Sequence, residues 1–188
     1  DPPVHTRHRK LLQPHLTPGA VARLEPPLRQ FVDRQLSPML AAGRGDIVAC
    51  LGDPLPALGI CYLVGLPPED AAPMVSRVAG MSPLLDGVTD IEGISQAVTA
   101  TLELYQFTET RLHSARNRPS AERSGLLAVL VDAIEAALLT VDEARNILLQ
   151  IFSAGTETTS SLISNAIEIL ARRPELQAQL RKHPEQIP

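Results

Sequence analysis

Apolar residues recur every three to four positions along almost the whole chain, and the strict alternation that marks an exposed strand is nearly absent. This spacing predicts helices over residues 4–13, 17–43, 53–65, 67–80, 89–117 and 121–134, a much longer one from residue 140, and a short one from residue 174. Residues 46–49 are the only predicted strand, and residues 81–88 are predicted to form a loop. The fold class is therefore mainly α.

Start signals for three of these helices are visible in the sequence. Thr17 precedes a proline, and Thr89 and Thr140 each precede a glutamate by three residues (Glu92 and Glu143), which is the spacing of a capping box. Proline lacks a backbone donor, so the prolines at positions 26, 27 and 38 are predicted to break or kink the second helix.

The helix predicted from residue 140 is the longest element. Its apolar period of 3.6 residues continues for about nine turns, or roughly 50 Å at 1.5 Å per residue. Apolar residues also occupy its other faces, among them Leu149, Phe152, Ile163 and Ile167. A helix that is apolar nearly all round is expected to be buried within a larger protein.

The centre of this helix, residues 153–161, reads Ser-Ala-Gly-Thr-Glu-Thr-Thr-Ser-Ser. Glycine costs about 1 kcal/mol against alanine and each Ser or Thr about 0.5, so the stretch costs on the order of 4 kcal/mol in a helix interior. One interpretation is a functional site where the helix opens: Gly155 would admit a flat ligand, Thr158 and Thr159 would bond carbonyls of the preceding turn, and Glu157 would relay protons with Thr158. The other interpretation is a Ser/Thr-rich kink whose glutamate is ion-paired.

A second group of polar residues lies in the first predicted helix. His5 and Arg9 are four residues apart, so they project from one helix face. Two such donors can bind a carboxylate or a phosphate, arginine in a bidentate way. The alternative is a solvated basic helix with no ligand.

Composition argues against several classes of function. The formal net charge of −4 gives no sign of a nucleic-acid partner. The chain contains no run of 18 apolar residues, so no membrane span is predicted. The two cysteines, Cys50 and Cys61, form neither a C-x-x-C pair nor a zinc-like arrangement with histidine. They indicate thiols in a reducing, cytoplasmic environment, and no metal ligand is predicted.

Residues 154–159, Ala-Gly-Thr-Glu-Thr-Thr, resemble the central-helix motif of the cytochrome P-450 superfamily, which is a small residue, a glycine, any residue, an acid and two threonines. In that family the small pair lies over the haem, and the acid and first threonine supply protons for oxygen activation. The resemblance implies that Ala154 and Gly155 contact the cofactor and that Glu157 and Thr158 are catalytic.

The first stretch, D-P-P-V-H-T-R-H-R-K-L, is similar to a segment of the bacterial branch of the same family. That segment supplies a histidine and an arginine to the haem propionates, which implies that His5 and Arg9 bind haem b. Arg7 and Lys10 would face outward, toward a ferredoxin- or flavodoxin-type redox partner. His8 is unusual for the family and is interpreted as a surface residue.

The substrate side of such a site would be built by the long helix. Helical spacing places Gln150, Ile151 and Ala154 on one face with Thr158, so within this family these residues would line the substrate pocket. The loop predicted at 81–88 would contribute to the pocket as well.

The resemblance covers essentially the whole chain and implies that residues 1–188 are a single, partial domain of a P-450-like helical fold. That domain would run from the first basic helix through the short helix after the long central one. The family's Cys-containing haem-ligand loop and its E-x-x-R helix do not occur in this sequence. We therefore expect an internal fragment of a soluble bacterial haem-thiolate monooxygenase, inactive when isolated, from an enzyme that inserts one oxygen atom from dioxygen into a small organic substrate. The alternatives are a helical ligand-binding or interaction module that has lost haem, and a helical bundle with a chance motif.

Overall fold

A computed structural model describes residues 2–85, 87 and 90–187, and the described part of the chain is helical without a β-strand. Its α-helices, in chain order, are α1 (Val4–Leu12), α2 (Pro18–Ala22), α3 (Glu25–Ala42), α4 (Pro54–Val64), α5 (Ala71–Leu85), α6 (Ile91–Arg116), α7 (Gly125–Glu135), α8 (Val141–Arg172) and α9 (Pro174–Lys182). The mainly α fold class is confirmed.

The hydrophobic core lies where α4, α5, α6 and α7 meet the first half of α8. Its largest fully buried side chains include Met74, Leu104, Leu130, Leu148 and Phe152. The rings of Phe107 in α6 and Phe152 in α8 are 5.9 Å apart between centroids, at a tilted angle that is favourable for aromatic pairs. These contacts fix the orientation of α8 about its own axis.

The two halves of α8 differ in how deeply their side chains are buried. All of its buried residues lie between Ala144 and Thr156, and none follows. In the second half Leu162 is 68% exposed and Ile169 is 49% exposed. The helix predicted to be apolar all round is therefore fully buried along one side of its first half, and its second half is only partly covered.

The predicted start signals are observed where the structure describes them. Thr17 Oγ1 accepts from the backbone N–H of Ala20 at 3.3 Å. The capping box of α8 is complete, because Glu143 N donates to Thr140 Oγ1 at 3.1 Å and Thr140 N donates to Glu143 Oε2 at 2.8 Å.

The corresponding box predicted for α6 involves Thr89, which lies outside the described residues. Asp90 is the residue that caps this helix, since its Oδ1 accepts from Gly93 N at 2.7 Å.

Two predicted breaks in helical structure are wrong. The strand predicted at 46–49 is instead the start of a wide helical turn, Val48–Gly52, because Asp46 Oδ1 accepts from the backbone N–H groups of Val48 and Ala49 at 2.9 and 3.1 Å. The loop predicted at 81–88 is helical through Leu85, the end of α5, and residues 86 and 88 of it lie outside the described part.

The break predicted at Pro26 and Pro27 within residues 17–43 is confirmed, because α2 ends at Ala22 and α3 begins at Glu25. Pro26 and Pro27 occupy the first turn of α3. A backbone N–H in the first turn has no carbonyl of the same helix to bond, so its absence in proline costs nothing there. The two prolines therefore lie at the start of α3, whereas Pro38 lies inside α3 and does not end it. Gly43 ends the helix with φ +65°, as predicted from its position.

The end of α4 and the start of α7 meet at two glycines with positive φ. Gly65 has φ +88° and Gly125 has φ +63°. A Cβ atom added to Gly125 would lie 2.5 Å from the backbone nitrogen of Gly65 and 2.5 Å from the carbonyl carbon of Val64. Backbone atoms cannot move aside as a side chain can, so this contact requires glycine for both its φ and its lack of a side chain.

We predict that Gly125→Ala lowers the free energy of unfolding by at least about 3 kcal/mol, the sum of a left-handed backbone cost and an overpacking cost. Gly43→Ala is the matched control, since Gly43 has nearly the same φ of +65° but no atom within 4 Å of an added Cβ. It should cost only about 1 kcal/mol. Urea denaturation measures both, and equal losses would show that the α4–α7 contact does not constrain the fold.

Candidate functional site

A groove of about 680 Å³ runs between α1 and the first half of α8. From α1 it is lined by His5 and Arg9, and from α8 by Gln150, Ile151 and Ala154. The remaining lining residues are His8, Leu12, Gln13, Leu16, Thr17, Pro18 and Ile147. The structure thus brings together two groups of predicted site residues that are about 145 positions apart in the sequence.

The contact between α1 and α8 is made by polar groups at the start of α8. Arg7 Nη2 forms an ion pair with Glu143 Oε1, and His8 Nε2 lies 3.3 Å from the same oxygen. The hydrogen bond from Thr140 N, followed by the contacts with His8 and Arg7, lowers the pKa of the Glu143 carboxyl.

Two expectations for α1 are corrected by these contacts. Arg7 does not simply face outward, because its guanidinium is held by Glu143. His8 is not a surface residue, because its side chain is only 22% exposed and lines the groove. Lys10 is exposed, as predicted.

The backbone of α8 is continuous through its unfavourable centre, so the hypothesis of an opened helix is wrong. Two threonine hydroxyls donate to carbonyls one turn earlier: Thr158 Oγ1 to Ala154 O at 2.6 Å, and Thr156 Oγ1 to Phe152 O at 2.7 Å. The predicted bond from Thr158 to the preceding turn is confirmed. These bonds satisfy the hydroxyls within the helix, which lowers the cost of placing them there.

Thr158 and Gly155 lie on different sides of α8. Thr158 is exposed and lies one turn beyond Ala154, on the face that lines the groove. Gly155 lies with Thr159 along a second cavity, of about 930 Å³, bounded by α3 and α4. A Cβ on Gly155 would lie 2.5 Å from Ile60 Cδ1, so a larger residue here would require the Ile60 side chain to shift, and the contact of Gly155 with a cofactor stays a prediction.

Glu157 lies on neither of these faces. It is half-buried and lines a small cavity of about 190 Å³ with Asp53 and Ser160, beside α5. Ser160 Oγ donates to Asp53 Oδ1 at 2.7 Å, which ties the middle of α8 to the start of α4. Sequence reasoning missed Asp53 and Ser160 as neighbours of Glu157, because it treated Asp53 as a helix start and Ser160 as part of a polar run.

The described residues contain no group of three or more His, Cys, Asp or Glu side chains that could hold a metal ion. Cys61 is fully buried, and burial, with a contribution from the Asp70 carboxylate, raises the pKa of its thiol to about 12. Cys61 therefore stays protonated at neutral pH, unlike a metal-binding thiolate. Nor does any helix in the described ranges have the length and apolar character needed to cross a membrane.

Comparison with known protein families shows to which family this chain belongs. The family described as Cytochrome P450 matches residues 90–187, which include Glu157, Thr158 and the whole of α6 to α9. The chain belongs to the cytochrome P450 family. It is thereby placed in a family of monooxygenases, and the resemblance inferred from the two sequence motifs is confirmed.

Curated P450s extend the likeness to the groove and α1. Cytochrome P450 144 of Mycobacterium tuberculosis is 30% identical over 98% of this chain and 42% of its own length. The P450 monooxygenase PikC of Streptomyces venezuelae is 34% identical over 96% of this chain and 42% of its own length. The chain thus spans less than half the length of these curated relatives.

Solved structures confirm the P450 helical fold. The crystal structure of CalO2 superimposes with a TM-score of 0.88 and 30% sequence identity, over 98% of this chain and 46% of that protein. The order of helices in the present chain, including the long α8 and the basic α1, is therefore that of part of a P450 fold.

Family membership implies haem in the complete protein, and the groove fits such a group chemically. Its α1 side carries donors able to bind carboxylates, His5 and Arg9, and its α8 side carries the small, exposed Ala154 beside Ile151. A planar, largely apolar group with anionic substituents matches this division. The side chain that would ligate the iron is not among those lining the groove.

We predict that the two cysteines react very differently with a thiol reagent. In the protein carrying Cys50→Ser, the remaining Cys61 should react on the order of 100-fold more slowly than Cys50 does in the matched Cys61→Ser variant, since Cys61 is buried and protonated whereas Cys50 is partly exposed. Native-state labelling followed by mass spectrometry measures the rates. Rapid labelling of Cys61 at neutral pH would contradict the structure.

Proposed function

We propose that this chain supplies the propionate-binding edge and the distal wall of the haem pocket in a P450 monooxygenase. The observation that carries the proposal is the groove that joins His5 and Arg9 of α1 to Gln150, Ile151 and Ala154 of α8. Neither a solvated basic helix nor a harmless kink would account for both sets of side chains lining one groove.

In this proposal His5 and Arg9 bind the haem propionates. Both lie on the groove side of an otherwise exposed helix, and one turn separates them. The guanidinium of Arg9 offers two parallel donors to one carboxylate, and the imidazole of His5 offers a single donor to the other. The cofactor would be haem b, and its ligand would come from chain outside residues 1–188.

When bound, haem supplies the chemistry by which one atom of dioxygen is inserted into an organic substrate. The substrate is a small organic molecule, and Gln150, Ile151 and Ala154 form the wall against which it is held. Ile151 and Ala154 exclude water there, while the Gln150 amide can orient a polar group of the substrate.

Glu157 and Thr158 control the proton supply in this proposal. Thr158 Oγ1 donates to Ala154 O, which leaves its oxygen lone pairs directed away from the helix on the exposed face. Glu157 lines the cavity that also contains Asp53 and Ser160, so its carboxyl can exchange protons with groups behind α8. The carboxyl would relay protons on one side of the helix, and the Thr158 oxygen would accept a hydrogen bond from a water on the other.

Three further features belong to the same proposal. Residues 1–188 would form part of a single domain, of which the chain spans less than half, as it does of the relatives it matches. Electrons come from a ferredoxin- or flavodoxin-type partner that docks near the exposed Lys10. The enzyme works in the cytoplasm, where its thiols stay reduced.

The retention of haem tests the proposal directly. In a full-length protein that contains this chain, His5→Ala and Arg9→Ala should each speed the loss of haem to excess apomyoglobin about tenfold, because each removes a charge-assisted or polar bond of about 1.5 kcal/mol. Lys10→Ala is the matched control, since Lys10 is an exposed cation of the same helix that does not line the groove.

Equal rates for all three variants would contradict the proposed role of α1. A full-length protein that binds no haem at all would instead favour the haem-free helical module.

A second prediction concerns the threonine pair of α8. In the haem-loaded full-length protein, supplied with a compound from a panel that shifts its Soret band, Thr158→Ala should lower the product formed per reduced nicotinamide consumed by about tenfold and raise peroxide release. Thr159→Ala should change the ratio less than twofold, because Thr159 lines the cavity on the α3 and α4 side. Similar losses in the two variants would show that the face of α8 assigned to the groove is wrong.

A further inference from the structure

The position of α1 depends on few contacts. None of its residues is fully buried, and only Leu11 and Leu12 pack against the hydrophobic core. Its polar contacts with α8 are made by Arg7 and His8, and its Cα trace also approaches α7. A helix so weakly covered by apolar contacts relies on its polar contacts for a defined position.

A single carboxylate provides both of those contacts. Glu143 Oε2 accepts from Thr140 N at 2.8 Å and closes the capping box of α8. The other oxygen, Oε1, receives Arg7 Nη2 and lies 3.3 Å from His8 Nε2. Only a quarter of the Glu143 side chain is exposed, so the contacts are partly shielded from solvent.

Because α1 is a helix, the contact with Glu143 also affects the residues of α1 that line the groove. Arg7 and His8 lie between His5 and Arg9 in the sequence, so all four belong to the same turn and a half of one rigid helix. Holding Arg7 and His8 therefore fixes where His5 and Arg9 stand relative to Ala154. Since His8 also lines the groove, the link between Glu143 and the groove is a direct one.

Helix capping alone does not require the negative charge of Glu143. A glutamine at this position can complete a capping box equally well, because its side-chain oxygen also accepts from the N-cap N–H. The negative charge is used by Arg7 and His8. By contrast, the neighbouring Asp142 has a 76% exposed side chain and pairs with Arg145 within α8.

We propose that Glu143 is a positioning residue of the haem site, which sets the place of His5 and Arg9 by holding α1 on the start of α8. The inference rests on the proposed function of the groove. It assigns to the capping glutamate a role in cofactor retention in addition to its role in helix initiation.

The test uses the haem-loaded full-length protein and measures haem transfer to apomyoglobin beside the free energy of unfolding. Glu143→Gln keeps the capping box but loses the charge, and it should speed haem loss about fivefold. Asp142→Asn removes a charge from the same helix end without touching α1, so haem loss should stay within twofold of the unchanged protein. Both variants should unfold at nearly the same urea concentration, which separates positioning from general stability.

A double-variant cycle identifies the partner. Arg7→Gln should also speed haem loss, and adding it to Glu143→Gln should produce little further change, because the two side chains act through one contact. Additive effects of the two substitutions would overturn the proposal, as would equal effects of Asp142→Asn and Glu143→Gln. If Glu143→Gln has no effect while His5→Ala and Arg9→Ala do, this inference fails and the proposed function stands. If none of these variants alters haem loss, the proposed function itself fails.

Discussion

Phe152 and Leu148 project from the side of α8 that faces α4, α5 and α6, and both are fully buried. The free energy of burying such side chains, about 2–3 kcal/mol each, fixes the rotation of α8 about its axis. Once that rotation is fixed, helical geometry determines every other face. Ala154 and Thr158 must then lie on the exposed side, Gly155 must face α4, and Glu157 must lie beside α5. The candidate site is thus a consequence of core packing on the opposite side of the same helix.

Local features of this fold could be predicted well from the sequence. The capping box of Thr140 and Glu143, the N-cap at Thr17 and the glycine ends at Gly43 and Gly65 depend on residues three or four positions apart, and the structure contains all of them. The same holds for the shared face of Gln150, Ile151 and Ala154, which follows from the helical repeat. The pairing of that face with α1 required the family resemblance, because no local rule joins residue 9 to residue 154.

The errors have a common physical origin in contacts that local patterns do not specify. Residues 46–49 resemble a strand by composition, yet the Asp46 side chain binds two backbone N–H groups and starts a helical turn. One interpretation of the sequence had the centre of α8 open, yet its threonine hydroxyls bond carbonyls of the same helix and keep it continuous. The contacts of Asp53 with Ser160 and of Arg7 with Glu143 join residues more than 100 positions apart. Such pairs become visible only in three dimensions.

The packing of Gly155 against Ile60 links the side of α8 that faces α4 to the side that lines the groove. Ile60 Cδ1 of α4 lies 2.5 Å from where a Cβ on residue 155 would be, so the two positions share one space between α4 and α8. Because α8 behaves as a rigid rod over these turns, a displacement imposed from the α4 side would appear on the far side as a change in groove width. Residue 60 can therefore tune the dimensions of the pocket without lining it. Homologues with a larger residue at position 155 should compensate with a smaller one at position 60, which would appear as covariation between two positions outside the groove.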